Sequence, residues 1–514
     1  MAAVAVGTGT ATAAAAADSP ETQLLALLNS ARHGAGLAPL AADAAVAQVA
    51  RSWSGHMVGV HARTGDPVIK PAAATDCEQS SLCHNPDLAA QVGTLVPGWT
   101  TIGENIGVGG DVAAVNQALL NSPAHYANIM GDFNRVGIGV ATEGTTLWVT
   151  FDFANAPGTP TPVAAAPVSV TALGTNGRYN PVTPVRIADT RTAGGPVAAG
   201  GVLQVPVAAV AADATGVVVN LTAADAQSAG YLTAYPCGSA TPTASNLNVT
   251  AGDTRANLAT VALDATTAIC VFSSTTTNVV IDLAGWYGAT GDAYQATAAT
   301  RVLDSRSAGG PATSFVVPVA AGSAATVNLT VTNPAAAGYL TAYPCGMDTP
   351  LVSNVNFAAG QTIANLATVR VGTSTSICLF SSTPTNVIVD QAGTFAATGA
   401  TFTSAVPARI LDTRNGAPAT PGHTIEVAIA GTRGIPAHAT SVVANLTATG
   451  TSTGGYVTAF PCDQAAPTAS NLNYDANTTA ANLATVPLSA TGTLCLTANT
   501  TTHLIADIAG WYVS

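Results

Sequence analysis

Histidine, arginine and cysteine are the residues of this chain that could do chemistry, and each is spread unevenly. Five of the eight histidines, His33, His56, His61, His84 and His125, precede residue 155. An imidazole titrates near neutral pH and ligates metals when neutral, so acid–base or metal chemistry belongs to the first 155 residues. The arginines are used differently. Six of the 14 sit in Arg186-x-x-Asp189-x-Arg191 and its recurrences, Arg301-x-x-Asp304-x-Arg306 and Arg409-x-x-Asp412-x-Arg414. Arginine forks a carboxylate through two parallel hydrogen bonds. The motif therefore reads either as an anion or sugar-acid site or as an Arg–Asp ion pair that pins a domain edge. Spending nearly half of all arginines on one repeated place favours the ion pair. On a regular strand Asp189 and Arg191 share one face and Arg186 lies on the other.

The eight cysteines divide without remainder. Cys77 and Cys83 are six apart. Cys237 and Cys270, Cys345 and Cys378, and Cys462 and Cys495 share a spacing of 33. No Cys-x-x-Cys occurs, so the pattern is that of disulfides rather than zinc. Four intradomain disulfides imply an oxidising, extracellular location. Gly-x-Ser-x-Gly, His-Glu-x-x-His and the P-loop are absent. Gly107-Val108-Gly109-Gly110 follows no predicted strand into a helix, which argues against a nucleotide site. Ser122 beside His125 is a poor basis for a serine nucleophile.

The elements that must position these residues follow from composition and repeats. The chain has 514 residues, of which 8% are charged, with 48% hydrophobic, 5% aromatic and a net charge of -12. There is no basic footprint for nucleic acid, and no window suits a transmembrane segment. Residues 1–17 read as a signal-peptide-like remnant or tail, ending in small residues but lacking a basic start. Beyond a Pro/Ala/Thr linker at 156–178, whole blocks recur at offsets of 108 to 117 residues. Asn220-Leu221-Thr222, Gly230-Tyr231-Leu232-Thr233-Ala234-Tyr235-Pro236-Cys237, Ser245-Asn246-Leu247-Asn248 and Ala256-Asn257-Leu258-Ala259-Thr260-Val261 each have two later copies. A period of that length is a whole domain. Short β-branched runs bounded by Gly, Pro, Asn and Ser predict strands. The expectation is three all-β, sandwich- or barrel-like domains at 179–288, 289–396 and 397–514. The Asn-x-Thr triplets fall within predicted strands and read as strand residues rather than glycosylation sites. These repeats resemble tandem modules of secreted actinobacterial proteins.

Residues 18–155 read otherwise. Glu21–Ala35, Ala41–Met57 and Val112–Leu120 carry helical patterns, and Ser122-Pro123 is a helix start with Ser as cap and Pro in the first turn. Arg135–Val140 and Leu147–Phe153 alternate as a hairpin. Leu28-Asn29-Ser30-Ala31-Arg32-His33, His84-Asn85-Pro86, Gly103-Glu104-Asn105-Ile106-Gly107, Ser122-Pro123-Ala124-His125 and Val136–Val140 occur in one order. In that order the segment resembles the bacterial branch of the CAP (SCP-like) superfamily. The resemblance implies an α+β fold, an α-β-α sandwich, over 18–155, with a cleft lined by His84, Glu104 and His125. The only further acid between Glu104 and His125 is Asp111.

Two imidazoles and a carboxylate make a plausible divalent-metal set, for zinc or a similar ion. Alternatively Glu104 and His125 hydrogen-bond each other and hold the cleft together. Cys77–Cys83 would fix the approach to His84, while His33, His56 and His61 match no motif. Three functions follow. The first is a secreted, non-catalytic CAP protein binding a small apolar or carbohydrate ligand, attached to a surface or wall by its β modules. The second is a metal-dependent extracellular hydrolase at the same cleft. The third is an adhesion or cell-wall-binding protein acting through the repeats.

Overall fold

The computed structural model describes residues 19–35, 37–65, 77–158, 160, 170–207, 210, 212–371, 375–415 and 417–514. The leader-like segment 1–17 and linker residues 161–169 lie outside the described residues. The chain divides into two compact units, Asp18–Pro167 and Val168–Ser514. No helix among the described residues is long and apolar enough to cross a membrane.

The first unit runs α1 (Pro20–Gly34), β1 (Ala41–Ala42), α2 (Ala44–Thr64), α3 (Leu88–Leu95), β2 (Thr101–Gly109), α4 (Val112–Asn121), α5 (Pro123–Ile129), β3 (Arg135–Glu143) and β4 (Thr146–Asn155). Its sheet has the order β1-β3-β4-β2. Alternation along β4 sends Val149, Phe151 and Phe153 into a cluster with Leu24, Leu28, Val115 and Ile129. Trp148 and Ala154 take the other face, against Met57 and against Val46 and Val49 of α2. Helices therefore cover both faces of the sheet. The two glycines of Gly137-Ile138-Gly139 let α2 lie directly on β3. A Cβ on either would come within 2.2 Å of the α2 backbone. Helix α2 starts at Ala44, later than its periodicity suggests, because Asp43 caps it through Ala45 N at 2.9 Å. The same carboxylate takes a hydrogen bond from buried Arg135 at 3.0 Å. Ser122 makes no side-chain capping bond to α5.

Among the described residues the second unit is built of strands, with one 3-10 turn at Thr413–Asn415. Its first third contains β5 (Ala172–Asp189), β6 (Val202–Pro206), β7 (Gly216–Ala224), β8 (Gly230–Pro236), β9 (Leu247–Val249), β10 (Arg255–Ala262), β11 (Ala268–Ser273) and β12 (Asn278–Gly288). An inner sheet β10-β7-β12-β5 packs on an outer sheet β6-β11-β8-β9. Strand β7 is buried along its whole length. Val217, Val219 and Leu221 face the outer sheet, and Val218 faces a central cluster. A sheet covered on both sides needs such an unbroken apolar run. Residues 401–513 repeat the pattern, and strand 401–412 pairs with β5 to join the two inner sheets. In residues 293–396 one long strand, Ser376–Ala396, runs through both layers.

All four expected disulfides are formed: Cys77 with Cys83, Cys237 with Cys270, Cys345 with Cys378 and Cys462 with Cys495. The last three join neighbouring strands of the outer sheets. Cys270, Cys378 and Cys495 lie opposite Tyr235, Tyr343 and Phe460, and each bonds to the cysteine two residues beyond that partner.

The central cluster draws two aromatic rings from each sequence copy: Tyr179 and Tyr287, Tyr294 and Phe395, Phe402 and Tyr512. The Tyr287 and Tyr512 hydroxyls meet at 2.6 Å. Around them runs a cyclic set of buried asparagines. Asn220 Nδ2 donates to Ser353 O, Asn328 Nδ2 to Ser470 O, and Asn445 Nδ2 to Ser245 O. Asn257, Asn365 and Asn482 donate in turn to the side chains of Asn445, Asn220 and Asn328, at 2.8–2.9 Å. First copy bonds second, second bonds third, and third bonds first. The recurring Asn-Leu-Thr and Ala-Asn-Leu-Ala-Thr segments are this ring.

The repeated arginines are ion-paired. Arg186 forks buried Asp282 at 2.9 and 3.2 Å and reaches Asp189 at 3.2 Å, while Arg191 forks Asp189 at 2.9 and 2.7 Å. Arg301 and Arg409 fork Asp390 and Asp507 in the same way. The expectation that Arg186 and Asp189 lie on opposite faces fails. Ile281 pairs with Ala188 and Asp282 with Arg186, so an extra residue bulges at Ile187 and resets the alternation.

Candidate functional site

Two of the three residues expected to line a cleft meet directly. His84 follows the Cys77–Cys83 loop, whose Cys83 carbonyl is held by Trp53 Nε1 at 2.8 Å. Glu104 sits in the middle of β2, its side chain 5% exposed against 56% for His84. His84 Nδ1 lies 2.6 Å from Glu104 Oε2, and the Asn85 backbone N–H donates to the same oxygen at 2.9 Å. With Nδ1–H given to the carboxylate, Nε2 is left as the lone pair of a largely exposed ring.

His125 occupies the first turn of α5 and is half-buried. Fully buried Asn105 holds it, donating from Nδ2 to the His125 carbonyl at 2.9 Å. Asn128 Nδ2 then ties α5 to the strand through Glu104 O and Asn105 Oδ1, at 3.0 and 2.8 Å. Gly103 fits against this lock. A Cβ there would lie 3.1 Å from Phe133 and 3.2 Å from Asn128 Oδ1. The three residues of Gly103-Glu104-Asn105 thus divide the work: Gly103 admits its neighbours, Glu104 bonds His84, and Asn105 anchors the His125 helix.

A second acid stands behind Glu104 and was not anticipated. Asp152 on β4 is directly opposite Glu104 on β2 and wholly buried. Cross-strand partners share a face with Cβ atoms about 5 Å apart. Neither Asp152 oxygen nor Glu104 Oε1 meets a protein donor. Burial, then the charge of Glu104 and a hydrogen bond to it, push the Asp152 carboxyl well above the usual carboxylate range. Asp152 therefore holds its proton to higher pH than an ordinary aspartate does. The sequence signal was an aspartate inside the apolar strand Leu147–Phe153.

The remaining histidines stand apart from this pair. His56 stacks on Trp53 at 4.4 Å and bonds Cys77 O, and His61 bonds Glu143 at 2.7 Å. The side chain of His33 lies outside the described residues. Strand β2 does lead through Gly107–Gly110 into α4, contrary to expectation. However, Asp111 caps that helix through Ala114 N at 2.7 Å. A carboxylate fills the place a phosphate would take. Among the described residues, no three His, Cys, Asp or Glu side chains are grouped to hold a metal ion. The sulfurs of Cys237, Cys270, Cys345, Cys378, Cys462 and Cys495 are spent on disulfides and offer neither a thiolate ligand nor a nucleophile. Glu104 Oε2 is already spent on His84 and Asn85, so this carboxylate orients the imidazole.

Residues 25–153 match the model of the cysteine-rich secretory protein family, CAP. The chain carries a CAP domain there. A solved structure of an extracellular protein containing an SCP domain, from Bacillus anthracis str. Ames, is similar at 25% sequence identity. The match covers 26% of this chain and 40% of that one, with a TM-score of 0.20. The chain thus matches less than half of that protein's length. No curated protein matches.

Proposed function

We propose that this is a secreted CAP-domain protein that binds a small apolar or carbohydrate ligand at His84, Glu104 and His125 without converting it. In this reading its β unit attaches it to a cell surface or wall. The carrying observation is the bond from exposed His84 to buried Glu104. It presents a fixed imidazole edge to solvent. Tyr126, next to His125 and 44% exposed, adds an aromatic face of the kind that packs on sugars and apolar groups. Four disulfides support secretion. The decisive experiment is retention of the full chain on glycan arrays and lipid vesicles, beside His84→Ala. At least one lipid or short glycan retained by the native chain and lost from the variant is expected. No retention of either class, or a variant that retains every ligand of the native chain equally well, overturns the reading.

One observation favours a second reading, a metal-dependent extracellular hydrolase. A metal-ligating histidine usually gives its other ring N–H to a carboxylate, as His84 does to Glu104. His84 and His125 would then hold a divalent ion such as zinc, which would supply Lewis acidity, and Glu104 would orient His84. Metal analysis of the native chain and of His125→Ala decides it: equal content in both removes this reading.

A further inference from the structure

The aromatic residues described in the β unit are buried or half-buried, apart from three partly exposed tyrosines. They are Tyr231, Tyr339 and Tyr456, at 38%, 40% and 43% exposure. All three hold the same position, the second residue of the recurring Gly-Tyr strand (β8, 338–344 and 455–461). Each sits on an outer sheet directly opposite an asparagine of the short edge strand: Asn248, Asn356 and Asn473. A neighbouring serine bonds each asparagine Oδ1, Ser245, Ser353 and Ser470, at 3.3, 3.2 and 3.1 Å. That bond orients the amide and leaves its Nδ2 donors unspent. The backbone N–H of each tyrosine is also fixed, by Ser274 Oγ, Ser382 Oγ and Asn499 Oδ1.

These rings lie outside the main core clusters. The core beneath is closed by Leu232, Leu340 and Val457, each almost wholly buried. In a chain with 11 tyrosines among 514 residues, three spent on one exposed position call for a use. An oriented amide beside an exposed aromatic ring matches one ligand chemistry best. A pyranose ring lays its C–H face on the aromatic ring, and its hydroxyl or acetamido oxygens accept from the amide. The charge pattern points the same way. Arg409, whose charge acts on Tyr231, is already forked by Asp507 and bonded to Asp412. Arg409 is thus committed to carboxylates rather than offered to an anionic polymer.

We propose that Tyr231/Asn248, Tyr339/Asn356 and Tyr456/Asn473 are three equivalent subsites for uncharged sugar rings, through which the β unit grips a polysaccharide. This deepens the surface-attachment reading above and rests on it. The sites differ in one respect. Phe272 and Phe380 brace the first two tyrosines, with ring centroids 5.9 and 6.1 Å apart. Thr497 takes that place in the third, opposite Thr458 as Phe272 is opposite Thr233. The Tyr456 subsite is the weakest of the three.

The proposal is tested by co-sedimentation of the full chain with three insoluble polymers: cellulose, chitin and peptidoglycan sacculi. Native protein, each single Tyr→Ala, the triple Tyr→Ala and the triple Tyr→Phe are compared, with thermal melting as a fold control. Because three weak sites on one body act by avidity, single substitutions are expected to weaken binding about 3- to 10-fold. The triple alanine variant is expected to lose about 100-fold or more at an unchanged melting temperature. The triple phenylalanine variant retains binding, since the ring face is kept. Binding that survives triple alanine overturns the subsites and leaves surface attachment standing. Absence of native binding to all three polymers overturns both.

Discussion

Both units pair buried aspartates with arginine, as Asp43 with Arg135 in the CAP unit, but one buried aspartate is treated otherwise. In the β unit Asp282, Asp390 and Asp507 each face an arginine that forks both oxygens. In the CAP unit Asp152 faces Glu104, with no cation to share. Burying a charge costs several kcal/mol unless it is paired and hydrogen-bonded. The β unit meets that requirement three times over, and the result is architecture. The CAP unit leaves it unmet at one spot, directly behind the exposed His84, and the result is a site. The contrast locates function better than residue type does. Arginine, the residue most often read as a binding group, is here a fastener.

The largest expected effect breaks a fastener. Arg409→Met would leave Asp507, 2% exposed, facing no arginine. Loss of one partner of a buried pair costs about 3–5 kcal/mol. Chemical denaturation of the full chain should show that loss in the β unit's transition, with the CAP unit's transition unmoved. A loss below about 1 kcal/mol would mean the pair is not structural. Asn365→Ala should come next, at about 2–4 kcal/mol. It removes the donor to Asn220 Oδ1 and strands the Leu258 N–H, which Asn365 Oδ1 accepts at 2.8 Å. Since Asn365 is bonded to the first and second sequence copies alike, both should loosen together in hydrogen exchange.

The CAP unit should respond with the opposite sign. Asp152→Asn keeps a donor for Glu104 and removes the ionisable group. A gain on the order of 1 kcal/mol is expected at neutral pH and above. The pH dependence follows from the raised carboxyl. In strong acid, folded and unfolded chains both hold the proton, and burial of the neutral carboxyl carries no charge penalty. As pH climbs past the ordinary carboxyl range, the unfolded chain releases its proton first. Stability then falls until the folded value is passed. Melting temperature against pH should show this decline in the native chain and a shallower one in the variant. Parallel curves would mean that Asp152 is not the titrating group.

The two units were also unequally legible in sequence. The disulfides and the strand-rich character of residues 172–513 followed from spacing and β-branched runs. So did the ion-pair reading of the arginine motif. What was missed there is that the copies interlock. Asn220 reaches Ser353 and Asn257 reaches Asn445, 133 and 188 residues away, and no local pattern encodes such contacts. In the CAP unit, ordered motifs led to His84, Glu104 and His125. Asp152 escaped because it joins Glu104 through strand register rather than through neighbourhood in sequence. Helix α3 and strand β2 escaped too: α3 is short, and β2 is broken by glycines that admit Phe133, Val115 and Leu119.

The smallest effect sharpens the comparison within the β unit itself. Arg191 is 45% exposed on its side chain and holds Asp189 from the rim. Its hydrogen bonds hold the Asp189 carboxyl down to about 2. Such a group contributes fully above the unfolded value of ~3.9. As pH falls from there towards about 2, the unfolded chain takes up the proton first and the contribution is lost. Arg191→Ala should therefore lower stability at about pH 5 by under about 1 kcal/mol, as exposed pairs do. Near pH 2 the two proteins should converge. A penalty at neutral pH as large as that of Arg409→Met would show that the rim arginine fastens the sheet as firmly as the buried one. The division between fastener and solvated partner, drawn from exposure alone, would then be misplaced.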